Sequence, residues 1–395
     1  MDSAPWWLLV LVIVVLFGLG WIAARVDIRH LLAESRALPS SYFKGLNFLL
    51  NEQPDRAIDA FIEVVKLDPE TIELHFALGN LFRRRGETER AIRMHQNLLS
   101  RQDLPVELRA HAMFELGQDY LKAGLLDRSE EVFLQLENSG YATEARRHLL
   151  EIFQLEKEWR KAVAAALELQ ESGAGSNQMR ISHFYCELAQ SAMNESRIDD
   201  AARELEAALA ANRQSVRALI LVGDVAAQRG EDAEAITAWK RVEQQSAPHL
   251  SLVAERIVEA HRRLDRFAEG LKLLRSYLEA YPSIDLLEVV LKATTELEGG
   301  EAARQLAREA LHRSPSLLAL GQYLDARAQT VSPGERDDLE VVRNLIHNHA
   351  RRVGRYICAN CGFKARQFHW QCPGCATWES YPPLRNEELE TQDLL

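Results

Sequence analysis

The chain has 395 residues, of which 47% are hydrophobic, 27% charged and only 7% aromatic. That mix suits packed helices better than sheets, excludes a disordered chain, and at roughly 150 residues per domain allows two or three domains. A formal net charge of −11 disfavours a general nucleic-acid binder, because a grip on phosphate needs basic surface.

Residues Ser3 to Ala24 carry no charge. A membrane-spanning helix needs about 20 apolar residues, and this segment is long enough. Trp6, Trp7 and Trp21 fall near its two ends, where an aromatic belt lies. A cleaved signal peptide is disfavoured, since Met1-Asp2-Ser3 has no basic side chain and the apolar run is longer than such peptides use. No Lys or Arg precedes the segment, while Arg25, Arg29 and Arg36 follow it. The positive-inside rule then puts the bulk of the chain in the cytoplasm. The sequence predicts a single transmembrane helix over residues 1–25, embedded through residues 4–24, and a juxtamembrane linker over 26–40.

From residue 41 a helix–turn–helix pattern recurs. Gly45, Phe48, Ala57, Phe61 and Pro69 mark a first copy, and Gly79, Phe82, Gly86 and Ala91 a second; Gly45 to Gly79 and Ala57 to Ala91 are both 34 residues. Gly117, Tyr120, Gly124 and Phe133 mark a third, and Ala201 to Ala235 repeats the 34-residue step. Looser copies carry Phe153, Ala162 and Leu169; Leu188, Ala189 and Leu205; Gly223, Gly230 and Trp239; Tyr277 and Pro282; and Ala303, Ala310 and Pro315. Small residues let paired helices approach, large residues three or four positions away fill the space between pairs, and Pro ends the second helix. This spacing resembles the tetratricopeptide repeat family, which predicts a superhelical solenoid over 41–350. Its last part is a pair of capping helices, with stripes at Leu317, Leu318, Leu320, Tyr323 and Leu324, then Leu339, Val342, Leu345 and Ile346, broken by Ser332-Pro333-Gly334. The histidines His75, His95, His111, His148 and His183 stand singly on helices with no catalytic constellation around them, and Cys186 reads as a small buried hydrophobe.

Four of the five cysteines lie within the 18 residues 358–375. Disulfide proteins spread cysteines to staple loops, whereas tight pairs read as metal ligands in a reducing compartment. Cys358-Ala359-Asn360-Cys361 and Cys372-Pro373-Gly374-Cys375 are two knuckles with ten residues between them. Each turns two thiolates toward one ion, so Cys358, Cys361, Cys372 and Cys375 predict a closed tetrahedral site for one metal ion. Closure leaves no open position for catalysis at the metal. Gly362 and Gly374 are expected to supply backbone freedom to the turns. Tyr356, Phe363, Trp370 and Trp378 are expected to wrap a core that needs the metal to fold. The motif resembles rubredoxin-like ribbons and predicts a small domain over 351–385. Zinc is favoured over the iron that rubredoxins use for electron transfer, because no electron-transfer partner domain is visible; His369 is nearby but the thiolates already fill the shell. Arg351, Arg352, Arg355, Lys364 and Arg366, with no acidic residue from Arg351 to Trp378, offer a basic surface to anionic lipid, an acidic partner or nucleic acid, or simply a solvated face. The polar, acidic residues 386–395 read as a disordered tail.

The fold class predicted is all-α: an N-terminal transmembrane helix, a tetratricopeptide solenoid and a small C-terminal rubredoxin-like zinc ribbon. With the span from Trp6, the repeats around Gly45 and Gly79 and the ribbon from Cys358 to Cys375 in that order, the whole chain resembles the lipopolysaccharide assembly protein B family of Gram-negative cell inner membranes. The resemblance implies a cytoplasm-facing regulator of lipopolysaccharide synthesis that is not an enzyme. It implies an adaptor for the membrane-anchored ATP-dependent protease FtsH, promoting turnover of the lipid A deacetylase LpxC. Periodicity and spacing by themselves give only an anchored scaffold. The alternative is a structural scaffold that gathers lipopolysaccharide assembly or transport proteins without a role in proteolysis. The chain's acidity disfavours nucleic acid as a partner.

Overall fold

The computed structural model describes residues 17, 21, 40–67, 71–353 and 355–392. Apart from residues 17 and 21, the span expected over 1–25 lies outside the described residues, as do positions 26–39 of the linker. Among the described residues no helix is long and apolar enough to cross a membrane.

The chain forms two compact units, residues 1–152 and 153–395. The first holds helices α1 (Ser40–Leu50), α2 (Pro54–Leu67), α3 (Ile72–Arg84), α4 (Thr88–Leu99), α5 (Val106–Lys122), α6 (Leu126–Leu134) and most of α7 (Ala142–Leu155). The second holds α8 (Trp159–Glu171), α9 (Gln178–Asn194), α10 (Ile198–Ala211), α11 (Val216–Gln228), α12 (Asp232–Ser246), a short 3-10 turn (Ala247–Leu250), α13 (Ser251–Arg263), α14 (Phe267–Ala280), α15 (Ile284–Glu298), α16 (Gly300–Arg313), α17 (Leu317–Ala328) and α18 (Pro333–Val353). Strands β1 (Tyr356–Ile357) and β2 (Lys364–Ala365) and helix α19 (Asn386–Gln392) complete it.

Helix pairing rests on a recurring small-to-large contact. Gly45, Gly79, Gly117 and Gly223 each face a ring sixteen residues later: Phe61, His95, Phe133 and Trp239. A Cβ on Gly117 would lie 2.7 Å from the Phe133 ring, and the other three glycines leave as little room. The rings themselves are buried, so the glycines allow the backbones to close over them. Ala189 and Leu205 occupy the same spacing, both buried in one cluster: where the first residue gains a methyl, the second is smaller.

The turn inside each pair is equally regular. The second residue after the first helix adopts positive φ, and the next backbone N–H returns to a carbonyl five residues back: Glu87 to Phe82, Leu125 to Tyr120, Glu158 to Phe153, Arg197 to Ala192, Glu231 to Ala226 and Arg266 to His261. Gly86, Gly124 and Gly230 fill the positive-φ position in three of these turns, and Lys157, Ser196 and Asp265 in the other three. Such turns satisfy carbonyls left over at a helix end. In the first unit, a buried polar network ties successive helices. Arg83 bridges Glu115 (2.5 Å) and Asp119 (2.8 Å), and the other oxygen of Asp119 meets His95 Nδ1 at 2.5 Å.

Two segments differ from expectation. Of the apolar stripe expected on the last capping helix, Leu339 and Ile346 are half-buried while Val342 and Leu345 are exposed. The helix is held partly by polar contacts, Arg343 and His347 both reaching Asp325. Residues 386–392, expected within a disordered tail, form α19. Glu388 accepts a hydrogen bond from the Ile284 N–H at 2.7 Å, and Glu387 accepts from Leu317 and Leu318, the latter at 3.0 Å. The acidic composition that suggests disorder is what orders it, because carboxylates satisfy unpaired donors at helix N-termini.

The small-to-large rule gives a direct test. Gly117→Ala should destabilise by about 1–3 kcal/mol through overpacking against Phe133. Combining it with Phe133→Leu should cost less than the sum of the two single changes, since the double variant recreates the Ala189–Leu205 pairing. Urea unfolding of the four proteins measures the coupling; strict additivity would contradict the packing argument.

Candidate metal centre and its seat on the repeats

The four cysteines sit on two knuckles built alike. The Cys358 N–H donates to the Phe363 carbonyl (3.0 Å) and the Cys372 N–H to the Thr377 carbonyl (2.9 Å). The Gly362 N–H returns to Cys358 O (2.9 Å) and the Ala376 N–H to Cys372 O (2.8 Å). Strands β1 and β2 pair antiparallel around the first knuckle, and a bridge between Gln371 and Trp378 brackets the second. The positive-φ residue of each turn is Gly362 (φ 75) and Ala376 (φ 55), so Gly374 is not the source of freedom in the second turn. Gly374 is small for another reason: a Cβ there would come within 3.0 Å of the Phe363 ring.

The four sulfurs lie within 4.8 Å of one another. Cys358 and Cys375 are 3.8 Å apart, and Cys361 and Cys372 3.7 Å. Four sulfurs about 2.3 Å from one ion in a tetrahedron sit about 3.8 Å apart, so the donor set fits a single tetrahedral ion. The Gly374 N–H points to Cys372 Sγ (3.3 Å), and Asn360 Nδ2 to Cys375 Sγ (3.4 Å). The Ser380 hydroxyl lies 3.3 Å from Cys358 Sγ and the Thr377 hydroxyl 3.3 Å from Cys375 Sγ. The two amide donors, the Gly374 N–H and Asn360 Nδ2, offset the negative charge of a metal–thiolate group. Among the described residues this is the one cluster with metal-ligand geometry. His369 is half-buried against Tyr381 with ring centroids 5.9 Å apart, away from the sulfur set. Cys186 is fully buried, and burial pushes its thiol up to about 12, which suits a packing role.

The ribbon's own core consists of Tyr356, Cys358, Ala365, Cys372 and Tyr381. Its tryptophans do not wrap that core as expected; they face the repeats. Trp378 stacks on His183 of α9 (4.5 Å, 17°), meets Trp159 and Phe184 edge-on, and lies 5.8 Å from the Arg217 guanidinium. Its Nε1–H donates to Gln154 Oε1 at 3.3 Å. Trp370 stacks on His249 (5.4 Å, 2°). His183 Nε2–H donates to Glu379 (2.9 Å), and the Tyr356 hydroxyl donates to Asp285 (2.5 Å). Arg385 grips the same Asp285 at 2.8 Å and covers the Tyr356 ring at 4.4 Å. The contacted residues His183, Arg217, His249 and Asp285 lie 34, 32 and 36 residues apart. Each sits at or near the start of the first helix of a successive pair, so the ribbon makes one anchoring contact per repeat.

Burial governs the titration of this seat. It lowers His183, against the opposing pull of Glu379, and brings His249 down to about 4. The hydrogen bond from His183 holds Glu379 below the usual carboxylate range. Around the two tryptophans, therefore, the His183 and His249 imidazoles are neutral and Glu379 is ionised at neutral pH. Of the five basic residues expected to form a surface, Lys364 and Arg366 are exposed while Arg355 is half-buried; the side chains of Arg351 and Arg352 lie outside the described residues. The structure brings the four expected cysteines together, whereas sequence reasoning misses His183, His249 and Asp285. The 34-residue period could have marked them as equivalent starts of helices, but not as the ribbon's partners.

The chain matches the tetratricopeptide repeat family over residues 44–102 and 186–250, and the rubredoxin metal binding domain over residues 356–382. The lipopolysaccharide assembly protein B of Escherichia coli K12 is 34% identical over 381 residues, covering 96% of this chain and 98% of its own length. The protein of the same name from Haemophilus influenzae is 30% identical, covering 96% of this chain and 99% of its own. Among solved structures, that of Naa15/Naa10 bound to HypK-THB aligns with 79% of this chain and 47% of its own at 16% identity and a TM-score of 0.44.

Two measurements test the centre. Cys372→Ser should remove the bound metal and the near-ultraviolet signal of the seated tryptophans while far-ultraviolet helicity persists, because repeat stability is largely local; retained metal by elemental analysis would contradict the ligand assignment. The seat should also weaken in acid. His249 and His183 titrate lower in the folded chain than the ordinary histidine value of 6.5. Their stabilisation is therefore complete above that value and declines as pH falls below it toward the folded values. Hydrogen-exchange protection at the starts of α9, α11 and α13, measured against the intrinsic amide rate at each pH, should fall between pH 7.5 and 5.5, with metal content checked at both, and His249→Phe, which keeps a ring on Trp370, should reduce the fall.

Proposed function

Because this chain belongs to the lipopolysaccharide assembly protein B family, we propose that it is a non-enzymatic adaptor of lipopolysaccharide biosynthesis. It is held at the cell inner membrane by residues 4–24 with its bulk in the cytoplasm. It recruits a client, the LpxC-type lipid A deacetylase, to an FtsH-type membrane protease. The observation that carries the adaptor reading is the seat of the ribbon. A site with four thiolates has no open position for chemistry, and the aromatic residues beside it pack against the repeats. Ribbon and helices of the second unit thus form one protein-binding body, as repeat arrays with extended surfaces commonly do. The group bound by Cys358, Cys361, Cys372 and Cys375 is one zinc ion, which supplies folding energy rather than a reaction step. No covalent step is required of this chain. Holding client and protease at one membrane raises their effective concentration by tethering alone.

The test is the half-life of the deacetylase in cells at native expression. Removal of residues 1–24 should lengthen it several-fold toward that of cells lacking the chain, although the soluble part remains folded. A half-life unchanged even when the whole chain is absent would overturn the adaptor mechanism and favour a scaffold for lipopolysaccharide assembly proteins.

A further inference from the structure

Helix α18 is the last helix before the ribbon, and it packs one face on α17. On that face Arg343 and His347 reach Asp325, and Leu339 and Ile346 are half-buried. The opposite face is open: Val341, Val342 and Leu345 are 61%, 48% and 57% exposed. A terminal repeat ordinarily keeps its outer side polar, because no further repeat covers it. Here three apolar side chains stand together in the middle of that side. The charges around them are ordered too. Glu335, Asp338, Val342, Leu345, His349 and Arg352 recur at alternating steps of three and four residues, the spacing of a coiled-coil seam. On a helix they form one stripe about 26 Å long. The stripe starts acidic, is apolar at its centre and ends basic. It is therefore its own complement when reversed. Laid antiparallel on a second copy, Val342 of one chain is level with Leu345 of the other, Asp338 with His349, and Glu335 with Arg352. Two-fold symmetry makes each of these contacts twice. Laid parallel, the acidic starts would meet each other and so would the basic ends.

We propose that the open face of α18 docks a second copy of this chain, the two helices pairing antiparallel along this stripe. The central apolar layers supply the attraction. The outer layers, each a carboxylate opposite a basic group, fix register and direction. Glu335, Asp338 and His349 are exposed, so these layers form with little desolvation cost. The apolar contact is three side chains per copy, far less than an obligate interface buries, so the pairing is reversible. The proposal goes beyond the adaptor reading, since its partner is the chain itself rather than a client or protease, and it can fail while that reading stands.

The experiment uses the full chain in cells at native expression, as two differently tagged copies that carry a photo-crosslinking p-benzoylphenylalanine in place of Val341, beside the seam. Irradiation should join the two tags. Mass spectrometry of tryptic peptides should place the crosslink between residues 337–343 of one copy and 344–351 of the other. Direction is tested by charge exchange. One variant carries Glu335→Lys with Asp338→Lys, and the other His349→Glu with Arg352→Glu. Each variant by itself loses both acid–base layers, and its adduct should fall about tenfold. Expressing the two together restores the layers and should restore the adduct. Thermal melting checks that both variants fold; if either does not, the peptide map of the otherwise unsubstituted chain decides alone. No adduct between the tags, an adduct with a different protein, a crosslink that joins 337–343 of both copies, or a mixture no better than its parts would each overturn the proposal.

Discussion

Trp378 joins the ribbon to the repeats of the second unit. This indole leaves the ribbon's small core, lies flat on His183 and touches Trp159, Phe184, Arg217 and Gln154. A ribbon of this size cannot bury enough apolar surface to fold alone. At one end its four cysteines can hold a metal ion, and at the other it rests on the repeats. The two ends are linked by short stretches of chain: Trp370 lies two residues before Cys372, and Trp378 three residues after Cys375. An ion held at the second knuckle would therefore also constrain both tryptophans against their histidines.

That linkage changes what a repeat array normally is. Helical pairs stacked in sequence interact with their neighbours, and stability adds up locally. Here one small domain touches α9, α11, the turn before α13 and α15 in succession, and α19 reaches the starts of α15 and α17. Contacts of such sequence separation join pairs that would otherwise communicate only through their neighbours. The ribbon acts as a tie across consecutive repeats, and its loss is felt at several helix starts at once. Neutral imidazoles suit this role, because a stacked ring that also donates a hydrogen bond provides direction without bringing a full charge into the seat.

The repeats were legible where the physics is local. Gly45, Gly79, Gly117 and Gly223 mark close approach, and Gly86, Gly124 and Gly230 mark the turn with positive φ. In three of the turns Lys157, Ser196 and Asp265 occupy the position that glycine fills elsewhere; their backbone bonds are unchanged, but the residue signal is gone. The four-cysteine centre was legible because its ligands are close in sequence and thiolate chemistry narrows their use. The seat was not, since His183, His249 and Asp285 are ordinary helix residues until a segment from more than 70 residues further along the chain reaches them. Helix α19 was hidden for a related reason. Acidic composition argues for disorder only while no helix N-terminus is at hand to receive the carboxylates.

Docking also sorts the charges of the C-terminal segment. Between residues 355 and 389 the acidic side chains are Glu379, Glu387 and Glu388, and all three bond to the repeats. Arg385 turns inward with them and is matched by Asp285. Lys364 and Arg366 remain on the solvent side, next to the exposed Cys361 and a half-exposed Phe363. An acidic chain thus keeps a small outward face that is basic, acid-free and bears one aromatic ring. The arrangement is stable because each carboxylate gains a specific donor by turning inward, whereas the outward lysine and arginine keep their hydration and incur little desolvation cost. Segregation of charge is therefore a consequence of how the ribbon is seated, and a partner that meets this face encounters two basic side chains beside the cysteine knuckle.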